Sequence, residues 1–158
     1  MGTRATIAIK YPSKIKEVYC HWDGYPNCLG NTLYHYFDSP AGVEEIMALG
    51  DVSSLYPRLH PTPGVWHDFS SPQKNVSIFY GRDRGEKAYH ARTYHLPGQE
   101  DEFLKNANHE FTYVFDVETN KWYFSEASNR FRVLTHDDVK RIKLGEKARS
   151  LDFDAGNE

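Results

Sequence analysis

The opening stretch alternates. Thr3, Ala5, Ile7 and Ile9 fall on one face of an extended chain, and Arg4, Thr6, Ala8 and Lys10 on the other. This predicts a strand over 5–10 with Arg4 on its more polar side. Tyr11-Pro12-Ser13-Lys14 carries turn chemistry, so 15–22 reads as the returning strand of a hairpin. The period then lengthens. Leu33 and Phe37, four apart, predict a helix over 30–37. Val43, Ile46, Met47 and Leu49 form a second helical stripe, with Ser39 as its cap, Pro40 at the first helical position and Gly50 as its stop.

Both periods lapse over 51–73, where Pro57, Pro61, Pro63 and Pro72 mark a long irregular excursion of the kind that serves as a lid or an interface. Residues 76–80 read as a strand halted by Gly81-Arg82-Asp83-Arg84-Gly85, with 87–94 as its antiparallel partner. Gln99-Glu100-Asp101-Glu102 suits the start of a helix ending near Asn106. Residues 111–116 and 121–125 flank Val117-Glu118-Thr119-Asn120 as an aromatic hairpin, central in the sheet, which 130–134 extends. Thr135-His136-Asp137-Asp138 caps a last helix running to about residue 150. Together these elements predict one α+β domain over 1–150, built on an antiparallel sheet with about four helices, and a flexible acidic tail over 151–158.

Composition narrows the class. A chain of 158 residues with 39% hydrophobic positions can bury a core without metals or disulfides. The mean hydropathy of -0.70 and the lack of a long apolar run exclude a membrane-spanning helix, and a cytoplasmic protein is expected. Two cysteines, Cys20 and Cys28, are expected as thiols. A net charge of -3 gives no general attraction to duplex nucleic acid. The eight histidines lack zinc spacing, so no metal and no cofactor are expected.

The candidate chemistry gathers in two places. Residues 18–30 run from a strand into a turn and bring together His21, Trp22, Asp23 and Tyr25; pairing of the first two strands would add Arg4. Such a pocket would offer a cation, an imidazole, a carboxylate and stacking rings. The second place is the glycine-flanked pair Arg82 and Arg84, whose guanidinium forks match phosphate or carboxylate. The two regions are expected to face one hollow.

Met1-Gly2-Thr3-Arg4, Tyr19-Cys20-His21-Trp22-Asp23-Gly24-Tyr25-Pro26 with Gly30, Tyr80-Gly81-Arg82-Asp83-Arg84-Gly85-Glu86 and Lys121-Trp122-Tyr123 together resemble a family of small bacteriophage proteins. The resemblance implies a phage accessory protein acting in the host cytoplasm. Members beginning Met-Cys-Thr-Arg are in turn similar to N-terminal-nucleophile hydrolases, where removal of Met frees a catalytic cysteine. Here Gly2 stands in that place, with Asp23 as the matching carboxylate, so the likeness implies fold rather than amide hydrolysis.

The expected function is capture of a small anionic ligand, a nucleotide immune signal, as a counter-defence sponge. Arg82 and Arg84 would hold phosphates, Trp22 and Tyr25 would stack, and Asp23 would accept from a base or ribose. Two alternatives stay open: an enzyme degrading such a signal with His21 and Asp23, and an inhibitor binding a host defence protein. A homo-oligomer is also open.

Overall fold

The computed structural model describes residues 2–87, 89–127 and 130–140. Ala5–Tyr11 (β1) and Lys14–Cys20 (β2) form the expected hairpin, with Ala5 opposite Cys20 and Tyr11 opposite Lys14. Period two sorts their side chains between two cores. Ala5, Ile7, Ile9, Val18 and Cys20 enter the larger one, whereas Ala8 and Ile15 enter a smaller one on the opposite face.

After the hairpin the chain makes a π-helical turn, Pro26–Gly30, and two helices, Asn31–Tyr36 (α1) and Pro40–Leu49 (α2). The second begins as its residues dictate: Ser39 Oγ accepts from the Gly42 amide at 3.2 Å, and Pro40 follows it. It stops at Gly50, whose φ of 86° favours glycine and whose β-carbon would meet the Tyr89 carbonyl oxygen at 2.2 Å.

Within the proline-rich excursion lies Val52–Ser54 (β3), too short to show a period. It runs parallel to β2 at Cys20 and antiparallel to Ile78–Phe79 (β4). The expected partner of 76–80 is therefore corrected. Arg92–His95 (β5) pairs with β2 instead, because Arg92 falls opposite buried Glu17 and joins it at 2.8 Å. The glycine-flanked segment is likewise a helix, Tyr80–Arg84 (α3), closed by Gly85 at φ 73°.

Glu100–Asn106 (α4) precedes the aromatic hairpin, Phe111–Asp116 (β6) and Lys121–Glu126 (β7), which Arg132–Val133 (β8) extends. β6 lies parallel to β1, from Ala5 beside Phe111 to Lys10 beside Asp116. The sheet runs β4-β3-β2-β1-β6-β7-β8, with β5 on β2. The class is the expected α+β, and the aromatic hairpin is internal. The sheet is mixed: its junctions at β1–β6 and β2–β3 are parallel. A last helix, His136–Lys140 (α5), opens with a reciprocal cap. The Asp138 amide donates to Thr135 Oγ1 at 3.3 Å, and the Thr135 amide donates to Asp138 Oδ2 at 2.9 Å. The rest of that expected helix and the acidic tail lie outside the described residues.

Leu33, Val43 and Ile46 from α1 and α2 pack on the odd-numbered face of β1 with Tyr113, Phe115 and Phe124. Each fully buried ring contributes roughly 1.5–3 kcal/mol relative to exposure. On the other face Phe103 and Ala107 cover Ala8, Ile15, Tyr94 and Val114, leaving the end nearest Arg4 polar. Among the described residues no helix is long and apolar enough to cross a membrane.

Candidate functional site

The turn after β2 is held from several sides. The Gly24 amide donates to the Thr3 carbonyl at 2.9 Å, Tyr113 donates its hydroxyl to the Gly24 carbonyl at 2.6 Å, and the Leu29 amide donates to the Asp23 carbonyl at 3.0 Å. Asp23 sits at φ 57°, a left-handed position uncommon outside glycine. A β-carbon on Gly24 would lie 2.8 Å from the Thr3 carbonyl oxygen, which accounts for glycine there. Gly2 is equally constrained. A β-carbon there would stand 2.5 Å from the His21 carbonyl oxygen and 3.0 Å from the Trp22 ring, so the room for a nucleophilic side chain is filled.

His21 lies at the end of β2, half-buried, with its Nδ1 2.6 Å from the Tyr19 hydroxyl. Its ring meets Trp22 edge-on at 4.7 Å between centroids. Tyr19 also packs against His109, at 5.1 Å. Arg4 completes the group: its amide donates to Glu110 Oε1 at 3.2 Å, and its charge acts on both Tyr19 and His109. Burial pushes the Tyr19 phenol up and the His109 imidazole down, so both favour their neutral forms. Thr6 Oγ1, fully buried on this face, has no hydrogen-bond partner among the described residues.

Beneath this group two buried carboxylates are joined by the partly exposed Arg92. Arg92 donates to Glu17 Oε2 at 2.8 Å and to Asp51 Oδ1 at 2.9 Å, and Asp51 also accepts the Tyr19 amide at 2.8 Å. Tyr94 donates to the same Glu17 oxygen at 2.9 Å and accepts from Asn106 at 2.7 Å. Both carboxylates are thus bonded, as burial demands. Tyr19 is fixed through its own backbone.

The residues expected from the sequence divide. His21 and Trp22 are brought together, and Arg4 stands within electrostatic range of Tyr19 and His109 beside them. Trp22, 42% exposed, and Asp23 also line a small hollow of about 160 Å³ with Cys28, Thr32 and Tyr56, below the ~300 Å³ of typical ligand sites. Tyr25 turns toward the core, its ring edge-on to Phe111 at 5.9 Å.

Arg82 and Arg84 are engaged elsewhere. Arg82 donates to Asp83 Oδ1 at 2.8 Å, to the Leu59 carbonyl at 2.6 Å and to the Ser77 carbonyl at 2.9 Å. Asp83 accepts the Phe79 amide at 2.8 Å and has His67 Nε2 at 3.3 Å. His67 Nδ1 accepts the Gln73 amide, which leaves the imidazole proton on Nε2, buried near Asp83 but not hydrogen-bonded among the described residues. This knot ties the proline-rich excursion to α3. Arg84 pairs with Glu86 and lies over Phe69 at 4.8 Å. The segment approaches the site through Tyr80 instead, which stacks on Tyr89 at 5.1 Å and acts electrostatically on Tyr19.

Tyr19, His109 and Tyr80 are the site residues that sequence reasoning missed. Tyr19 lies on β2 two residues before His21, whereas His109 lies in a loop before β6 and reaches the site only through the parallel β1–β6 pairing. Among the described residues no group of three or more His, Cys, Asp or Glu is arranged to hold a metal ion. No protein-family model, curated protein or solved structure matches this chain.

Proposed function

We propose that this chain binds a small anionic, ring-bearing ligand of the nucleotide class at the polar end of the sheet. Arg4 supplies the cation, the rings of Tyr19, His21 and His109 supply the walls, and Trp22 borders them. The observation that carries the reading is the convergence of these groups above the Arg92–Asp51–Glu17 frame, with Tyr19 and His21 locked at 2.6 Å. A preorganised set of rings binds without losing much side-chain freedom. Arg82 and Arg84 have no part in this reading, since their bonds serve the excursion and Glu86. The bacteriophage resemblance supplies the setting: sequestration of a nucleotide signal in the host cytoplasm.

The test is a mass spectrum of small molecules carried through purification from host cells. Recovery of an intact phosphorylated, ring-bearing molecule supports sequestration, and recovery of cleavage products favours an enzyme. For the enzymatic reading His21 is held by Tyr19 Nδ1-to-hydroxyl contact, which makes Tyr19 its orienting partner in place of Asp23.

A second reading is favoured by one observation. Trp66 is 73% exposed on the excursion that the His67–Asp83–Arg82 knot holds in place. An exposed indole on a tethered loop suits docking onto a host defence protein. Co-purification of such a protein that Trp66→Ala abolishes, with indifference to nucleotides, would select this reading.

A further inference from the structure

A second polar cleft lies away from Arg4. It opens at the other end of β1 and β6 and on the opposite face of the sheet, where α1 and α5 approach the β6–β7 turn. Its volume is about 530 Å³, within the ~300–1,000 Å³ of small-molecule sites. Phe115 and Trp122 lie beneath it, both buried and packed edge-to-face at 5.3 Å, with the indole N–H donating to the Phe37 carbonyl at 2.9 Å. The base of the cleft is therefore rigid.

The rim is polar. Tyr34 and His35 stand on α1, Asp38 follows it, His136 opens α5 and Lys121 begins β7. Tyr34, His35 and His136 form a ring cluster: Tyr34 to His35 is 5.0 Å, His35 to His136 is 5.8 Å and Tyr34 to His136 is 6.3 Å. The ion pairs Arg82–Asp83, Arg92–Asp51 and Arg132–Asp138 each satisfy a buried carboxylate elsewhere in the fold. The side chains of His35, Asp38, Lys121 and His136 make no hydrogen bond or ion pair with one another or with any other described residue. Two imidazoles and an ammonium thus share the rim with a single carboxylate.

We infer that this cleft is a second ligand site, taking a nucleoside monophosphate. Lys121 and the two imidazoles receive the phosphate, Asp38 accepts from ribose hydroxyls, and the base lies against Tyr34 and the exposed Val133. An apolar or cationic ligand would meet two imidazoles and an ammonium against one carboxylate. A free inorganic phosphate would leave the Tyr34 and Val133 walls uncovered. The binding is independent of Arg4, which belongs to the other site.

The experiment is calorimetric titration of the Arg4→Ala chain, with the first site weakened, using adenosine 5′-monophosphate, uridine 5′-monophosphate and inorganic phosphate as probes. One binding event for a nucleoside monophosphate, at least tenfold tighter than for inorganic phosphate, is expected. Lys121→Ala and His136→Asn, both exposed and checked for folding by circular dichroism, should each weaken it at least fivefold when added to Arg4→Ala. No binding of either nucleoside monophosphate to the folded Arg4→Ala chain would overturn the inference. So would binding that Lys121→Ala and His136→Asn leave unchanged. Neither result bears on the first site, which is read from the effect of Arg4→Ala itself.

Discussion

The Tyr19 hydroxyl lies 2.6 Å from Nδ1 of His21, so two side chains that the strand places on one face are joined at their tips. The bond fixes the imidazole plane and, through the His21–Trp22 edge contact, the indole beside it. Because Tyr19 is also anchored by its amide to Asp51, the pair is a rigid extension of the sheet.

Tyr19→Phe removes this bond while keeping the ring. Stability should fall by no more than about 1 kcal/mol, the net value of one partly exposed hydrogen bond. Ligand affinity should fall about tenfold, because His21 is released. Urea denaturation alongside calorimetry with the retained ligand separates the two effects; equal affinity in the variant would remove Tyr19 from the site.

The two arginines of α3 should behave oppositely to a phosphate-gripping pair. Arg82→Ala strands the buried Asp83 carboxylate and frees two loop carbonyls, at a cost of about 3 kcal/mol in stability. Arg84→Ala, at an exposed pair with Glu86, should cost about 0.5 kcal/mol or less. Neither should alter ligand affinity once the folded fraction is taken into account. Denaturant midpoints for both variants check the contrast.

Gly24→Ala should destabilise by about 1–3 kcal/mol, since the added carbon faces the Thr3 carbonyl oxygen at 2.8 Å and Ala5 Cβ at 3.0 Å. Its backbone is fixed on the other side by Tyr113 at 2.6 Å, so the turn cannot move aside. Thermal unfolding measures this, and an unchanged midpoint would mean that the turn is looser than described.

How much of this was legible in the residues differs by element. The opening hairpin, α2 with its Ser39 cap and Gly50 stop, the aromatic hairpin and the Thr135 cap all follow from local rules of period and capping. The partners of β4 and β5 did not, because pairing between distant segments depends on which charges must be buried together, here Arg92 with Glu17 and Asp51. The motif around Arg82 was recognisable, but its role was not. Guanidinium forks suit backbone carbonyls as well as phosphates, and only the fold shows Leu59 and Ser77 arriving opposite them. For the candidate site, alternation placed Arg4 on the polar face, and the turn chemistry of 18–30 drew His21 and Trp22 into view but not Tyr19. The crossover that brings His109 beside them left no trace in local pattern.

A pH dependence follows from His109. Burial holds its imidazole below the ordinary 6.5, with Arg4 and Arg92 acting in the same direction against Glu17 and Glu110. The unfolded chain therefore takes up this proton at a higher pH than the folded one. Its contribution to stability is whole above pH 6.5 and is lost as the pH falls below that value toward the lower folded one. Denaturant unfolding across that range should show a decline that His109→Gln flattens.

The central claim is that Arg4 and the Tyr19–His21–His109 rings bind an anionic, ring-bearing ligand, and calorimetry with a panel of cyclic and linear nucleotides tests it most directly. The account predicts at least one nucleotide whose binding Arg4→Ala weakens tenfold or more, and which returns intact after the protein is denatured. No detectable binding across the panel, or a panel in which Arg4→Ala and Tyr19→Phe weaken the binding of no nucleotide, would contradict it.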